Sequence, residues 1–143
     1  MSYTPLKLKV LMICNTDGAL YVFRGPLIRK LVSDGYEVVT ICSPSEYFER
    51  LKSLGVSAYA VEFVNHSTNV WTNLRIARQL YQIIRDEKPD IVHSFTHKAA
   101  IFGTIAAKLA QIRKVFITIT GLGTLFSYDD FKTRMVRLTQ LPQ

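Results

Sequence analysis

The chain has 143 residues, 48% of them hydrophobic and 20% charged, the length and composition of one globular domain with a single core. No run of about 18 apolar residues could cross a bilayer, and the first residues lack the apolar stretch of a signal peptide, so a cytoplasmic location is expected. A net charge of +7 and a pI near 9.6 favour anionic partners, but the Lys and Arg residues are scattered without interleaved aromatics, which speaks against nucleic acid.

Residues 7–14, KLKVLMIC, begin as an alternation and become a continuous apolar run, the pattern of a central strand covered on both faces. The turn-forming series Asn15, Thr16, Asp17, Gly18 ends it. Residues 23–34 place Phe23, Leu27, Ile28, Leu31 and Val32 at helical spacing, with Gly35 as the stop. The cycle repeats: a strand over 37–42, a helix over 46–54 closed by Gly55, and a strand over 56–63. After a polar loop holding His66, residues 73–87 put Leu74, Ala77, Leu80, Tyr81 and Ile84 on one helical face, and Pro89 ends the helix by forcing its predecessor out of the helical region. A fourth strand over 91–95, an alanine-rich helix over 99–110 and a fifth strand over 114–120 complete the series.

Alternating strands and helices predict an α/β fold, a Rossmann-like doubly wound parallel sheet of about five strands in the order 3-2-1-4-5. Residues 1–123 form this domain, and 124–143 read as a truncated connecting tail whose Phe126, Phe131, Met135, Val136 and Leu138 call for a covering surface. Cys14 and Cys42, 28 positions apart at the ends of apolar runs, are read as buried free thiols rather than metal ligands or a disulfide.

In such a sheet ligands bind outside the carboxyl ends of the strands, where strand order reverses. The candidate segments are therefore the loop 15–24, the start of the fourth crossover at 95–98, and residues 120–123. His93 and His97 do not form a metal pair. An extended segment separates them by about 13 Å at roughly 3.3 Å per residue, and the helical H-E-x-x-H arrangement that would join them on one ion is missing. His93 is then a strand residue with a satisfied ring nitrogen, while His97 and Lys98 are either ligand contacts or solvated. Thr96 is placed as the N-cap of the following helix, where free amides attract phosphate or sugar hydroxyls. The first loop has too few glycines for G-x-G-x-x-G, which disfavours NAD and FAD. Gly18 permits a positive φ and a close backbone approach, and Arg24 has the fork geometry to clamp a phosphate. No Ser or Cys sits in a nucleophile elbow.

Together N-T-D-G-x-x-Y-x-F-R-x-P-L-I, G-Y-E-V-x-x-I-C, K-P-D-I-V-H-S-F-T-x-K, G-T-I-A-A-K-L-A and T-I-T-G-L-G resemble the N-terminal domain of bacterial family 4 glycosyltransferases. These are GT-B enzymes, here of the kind that builds capsule, O-antigen or lipid-linked oligosaccharides. The resemblance spans nearly the whole chain. It implies one half of a two-domain architecture, the acceptor half, facing a C-terminal donor domain across a cleft. It further implies retaining transfer without metal or cofactor, with a nucleotide-sugar, most simply a UDP-sugar, as co-substrate. The acceptor would be a saccharide on an undecaprenyl diphosphate carrier at the anionic inner-membrane surface.

Carried onto this sequence, the resemblance puts Gly18, Thr120 and Gly121 near the donor, and Asn15, Arg24, Thr96, His97 and Lys98 near the acceptor. The family often has a histidine where this chain has Phe95, so that residue's role does not carry over, and His97 is out of register to replace it. A stand-alone binding or membrane-associating module and half of a sugar-nucleotide 2-epimerase are the competing readings. The epimerase is disfavoured because N-T-D-G-A stands where its G-T-R-P-E-like loop would be.

Overall fold

The structure, a computed structural model, describes residues 7–64 and 69–119. His66, Thr120, Gly121 and the tail 124–143 lie outside the described residues.

Five parallel strands form one sheet in the order β3-β2-β1-β4-β5, the order the sequence predicts. The strands are β1 (Lys9–Thr16), β2 (Glu37–Ser43), β3 (Ser57–Ala60), β4 (Ile91–Phe95) and β5 (Lys114–Thr118). The helices are α1 (Arg24–Ser33), α2 (Phe48–Lys52), α3 (Val70–Glu87) and α4 (His97–Leu109). A π-helical turn, Ala19–Phe23, precedes α1.

Alternate residues of the central strands feed two cores. On one face Leu11, Ile13, Val39, Ile41 and Val92 pack under Ile76, Leu80 and Ile84 of α3 and the alanines of α4. On the other, Val10, Met12, Cys14, Val38, Cys42 and Phe95 pack against Leu20, Ile28 and Leu51. This two-sided burial is why β1 and β2 read as unbroken apolar runs. Both cysteines are free and buried, as expected from their spacing. Burial, with smaller contributions from Asp17 and Cys14, pushes the Cys42 thiol up to about 12, and burial also raises that of Cys14.

Local chemistry sets the joints. Gly35 and Gly55 have φ of +90° and +84°, the left-handed conformation that ends a helix at low cost in glycine. In α4, a Cβ on Gly103 would come within 2.5 Å of Ser94 Oγ and 2.9 Å of Ile13 Cδ1. Its hydrogen is what lets α4 lie directly on β1 and β4.

Three expectations need correction. Residues 23–34 do not form one helix with Phe23 and Leu27 on its buried face; Phe23 is exposed on the π-helical turn, Leu27 is exposed on α1, and Ile28 takes the core position. Leu74 is exposed, since α3 starts earlier, at Val70, and seats Ile76, Leu80 and Ile84 instead. β3 pairs only through Ser57–Ala60, while Val61 and Phe63 are buried beyond the ladder.

Candidate functional site

The order reverses at β1, which pairs with β2 on one side and β4 on the other, so the loops leaving β1 and β4 diverge and open a crevice. A pocket of about 430 Å³ lies there, lined by Cys14, Ala19, Phe23, Arg24, Phe95 and Thr96.

Its cation is held by stacking. The Arg24 guanidinium carbon sits 4.7 Å from the centroid of the Phe95 ring, a cation–π contact. Phe95 in turn lies 4.2 Å, centroid to centroid, from the His93 ring. His93 Nε2 is 2.8 Å from Thr118 Oγ1, so the satisfied ring nitrogen expected of His93 is present. Burial, and then the nearby Arg24 charge, hold the His93 pKa below its usual value, which keeps the imidazole neutral at pH 7. The row Arg24, Phe95, His93, Thr118 thus runs from the first loop across β4 to β5. Among the described residues Arg24 has no salt-bridge partner, so its hydrogen-bonding fork is uncommitted.

The first loop is braced from below. Asp17 is fully buried, and its carboxylate accepts hydrogen bonds from Gly18 N–H, Ser45 N–H and Ser45 Oγ, each at 2.6 Å. Burial raises its pKa, but these bonds, with one from the Tyr47 amide, outweigh it and leave the carboxyl below the ordinary carboxylate range. Tyr21 stacks on Tyr47 with ring centroids 5.5 Å apart, and Thr16 Oγ1 accepts from Ala19 N–H at 3.3 Å. Sequence reasoning passed over Asp17 as a turn residue. The available signal was topological: loops following adjacent parallel strands share one edge, which brings residues 17 and 45 together.

Thr96 does occupy the N-cap position of α4, but its hydroxyl makes no capping bond. Its backbone, at φ 75° and ψ 157°, lies in a region almost reserved for glycine, which turns Oγ1 away from the helix amides. Thr96 Oγ1 is buried without a hydrogen-bond partner among the described residues and belongs to the pocket wall.

The remaining candidates divide. Gly18 adopts φ −60°, so its conformational freedom is unused; what matters is its missing side chain, since a Cβ would meet the Tyr47 ring at 3.3 Å. Asn15, at the end of β1, is half-buried on the same edge. Lys98 Nζ donates to the Val64 carbonyl, bracing the chain that leads into α3. His97 is exposed and lines a different, apolar groove between α4 and β5, with Ile101, Ile105, Ile117 and Ile119. The structure therefore brings Arg24 and Thr96 to one pocket, and leaves Lys98 and His97 out of its lining. Among the described residues no cluster of metal-ligating side chains occurs and no helix is long and apolar enough to span a membrane.

Comparison with known proteins extends this geometry. A sequence model described as glycosyl transferase 4-like matches residues 9–139. The chain is 30% identical over 130 residues to the N,N'-diacetylbacillosaminyl-diphospho-undecaprenol alpha-1,3-N-acetylgalactosaminyltransferase of Campylobacter jejuni, covering 91% of this chain and 35% of that protein. It is 28% identical over 108 residues to the UDP-Gal:alpha-D-GlcNAc-diphosphoundecaprenol alpha-1,3-galactosyltransferase of Escherichia coli, covering 76% of this chain and 27% of that one. It thus spans about a third of the length of these relatives. Among solved structures, MurG of Acinetobacter baumannii superposes with a TM-score of 0.62 at 20% identity, over 92% of this chain and 38% of that one. A putative UDP-N-acetylglucosamine 2-epimerase from Listeria monocytogenes gives the same TM-score, 0.62, at 20% identity, over 94% and 37% of the two chains. At these identities the fold is shared and no more, and the fold alone does not separate transferase from epimerase. The chain belongs to the glycosyl transferase 4-like family.

Proposed function

We propose that the chain is the acceptor-binding half of a retaining glycosyltransferase that moves a sugar from a nucleotide-sugar, most simply a UDP-sugar, to a lipid-linked saccharide in cell-surface polysaccharide synthesis. The observation that carries this reading is Arg24, held over the Phe95 ring beside an open pocket with no salt-bridge partner among the described residues. A stacked guanidinium keeps its planar fork free and costs little further ordering when a phosphate arrives. An acceptor carried on a diphosphate supplies that anion, and the relatives named for diphospho-undecaprenol substrates support the same class.

Each group then has a part. Arg24 binds the acceptor phosphate, and the buried Thr96 hydroxyl receives a hydroxyl or phosphate oxygen. Lys98, His97 and Asn15 are assigned to the acceptor, and Gly18, Thr120 and Gly121 to the donor. His93, neutral and tied to Thr118, holds Phe95 rather than exchanging protons. The reaction itself needs a donor-binding unit opposite this edge, because transfer depends on stabilising the leaving diphosphate and on aligning two substrates. This chain alone binds the acceptor and scarcely turns over, and the anionic inner-membrane surface is where it meets its lipid-linked partner.

Calorimetric titration with a soluble short-prenyl diphosphate saccharide and, separately, with UDP-sugars tests the assignment. The acceptor analogue is expected to bind, with Arg24→Ala weakening it by tenfold or more, about 1.4 kcal/mol or above. Binding of a UDP-sugar with no affinity for the acceptor analogue would overturn it.

A further inference from the structure

His93 does not line the Arg24 pocket, yet its setting accommodates two charge states. Its Nε2 is 2.8 Å from Thr118 Oγ1. A hydroxyl donates or accepts, so this bond survives whether Nε2 carries a lone pair or a proton. Aromatic rings supply the rest of the setting. The Phe95 ring lies 4.2 Å away and the Phe116 ring 6.2 Å away, centroid to centroid, the second edge-on. Such rings pack against a neutral imidazole and also attract an imidazolium. The side chain is half-buried, so solvent can deliver the proton.

Burial opposes that proton first, and Arg24 second. The neighbouring strands add no charge: the register partners of His93 are Met12 of β1 and Phe116 of β5, and Thr118 is its hydrogen-bond partner. From the start of α1 comes Arg24, the one charge that bears on His93 among the described residues. Its guanidinium carbon is 4.7 Å from the centroid of the Phe95 ring that His93 also touches. Two groups against one ring are close enough for their charges to interact strongly at the edge of a protein interior. Arg24 has no salt-bridge partner among the described residues, so an arriving phosphate offsets a charge that nothing else offsets. With that charge offset, His93 holds a proton more tightly. By linkage, a group that binds its proton more tightly in the complex takes up protons as the complex forms, and acid then favours the complex.

We propose that His93 is the proton-linked partner of Arg24: it takes a proton from solvent as the anionic end of the acceptor binds, so that acceptor binding strengthens in mild acid. The proton stays on the imidazole and reaches neither substrate, so the transfer chemistry does not use it. This rests on the reading that a diphosphate-bearing acceptor meets Arg24, and it adds regulation by pH to that site.

The soluble short-prenyl diphosphate saccharide is titrated into the intact chain by calorimetry at about pH 6 and about pH 8, each in two buffers of different ionisation enthalpy, which counts the protons taken up. Uptake is expected at the lower pH and none at the higher, with affinity rising by about threefold or more toward acid. His93→Gln should still bind the saccharide, without uptake at either pH. The chain has three histidines, so proton NMR resolves the rings, and that of His93 is assigned through its contacts with Phe95 and Phe116. Its titration should move to higher pH when the saccharide is bound, and also in the free Arg24→Ala chain. Should His93→Gln not fold, the proton count and the ring titration in the unsubstituted and Arg24→Ala chains decide the matter. Three outcomes would overturn the proposal: binding at the lower pH without proton uptake, uptake that persists in folded His93→Gln, or a His93 titration that responds to neither the saccharide nor Arg24→Ala. Binding without uptake sinks this linkage alone, whereas absence of saccharide binding in the unsubstituted chain sinks the acceptor reading and the linkage with it.

Discussion

The two edges of the sheet are finished differently. At the amino edge the one charge within β1 is matched: Lys9 Nζ lies 2.8 Å from Glu87 Oε2 and 3.1 Å from Glu37 Oε1, and its backbone N–H donates to Asp90 Oδ2 at 2.7 Å. Tyr59 donates its hydroxyl to the same Glu87. At the carboxyl edge, among the described residues, Arg24 rests on a ring instead of a carboxylate, Thr96 keeps a strained backbone and an unpartnered hydroxyl, and Phe23 is 75% exposed. The amino edge is complete in itself, while the carboxyl edge leaves groups that a ligand would complete. Asp17 is the exception that makes the difference usable, since it fixes the loop on which the uncommitted groups stand.

Removing that brace should have the largest effect. Asp17→Ala deletes a buried acceptor of three described hydrogen bonds and is expected to cost about 3 kcal/mol in urea unfolding. The pH dependence has a definite sign. Because the folded-state pKa of Asp17 is lowered, its contribution is complete above the unfolded carboxylate value near about 4 and is lost as pH falls through the folded value. Asp17→Ala should therefore flatten the acid limb of the stability curve. An unchanged acid limb would show that the loop is held by something else.

Filling the contact between α4 and the sheet comes next. Gly103→Ala drives a methyl group toward Ser94 Oγ and Ile13 Cδ1, with an expected loss of about 2 kcal/mol. Thr96→Gly should act in the opposite direction: φ 75° and ψ 157° suit glycine, so stability rises by about 1 kcal/mol while affinity for the acceptor analogue falls. A variant that is less stable, or more stable with unchanged affinity, would separate the strain from the site. The smallest effect belongs to His93. Its pKa is lowered in the folded chain, so stability is full above the unfolded value near about 6.5 and declines below it until the folded value is passed. A conservative His93→Gln substitution should remove that shallow decline.

Much of this architecture is legible in the sequence, and the reasons are local. Ile91–Phe95 is bounded by Pro89 on one side and a helix start on the other, and its limits match those read from the pattern. Gly35 and Gly55 mark the ends of α1 and α2 because left-handed backbone selects glycine. Periodicity ranks the faces of a helix but says nothing of what lies opposite, so Phe23, Leu27 and Leu74 read as core and are exposed. The sequence points to the edge of the sheet for the candidate site but not to its wiring. Arg24 and Thr96 are legible as residues of the segments that follow β1 and β4, but the ring that carries Arg24, the Asp17 bond to Ser45 and the failed cap at Thr96 all depend on contacts or backbone angles set by the assembled sheet.

The claim that the carboxyl edge, and Arg24 within it, holds the anionic end of the acceptor is tested most directly by calorimetry of a soluble prenyl-diphosphate saccharide against three chains: unsubstituted, Arg24→Ala and Lys9→Met. Each substitution removes one cation, from opposite edges. The expected result is a loss of affinity of about tenfold or more for Arg24→Ala and none for Lys9→Met. Equal affinity in all three, or equal losses in both variants, would contradict it.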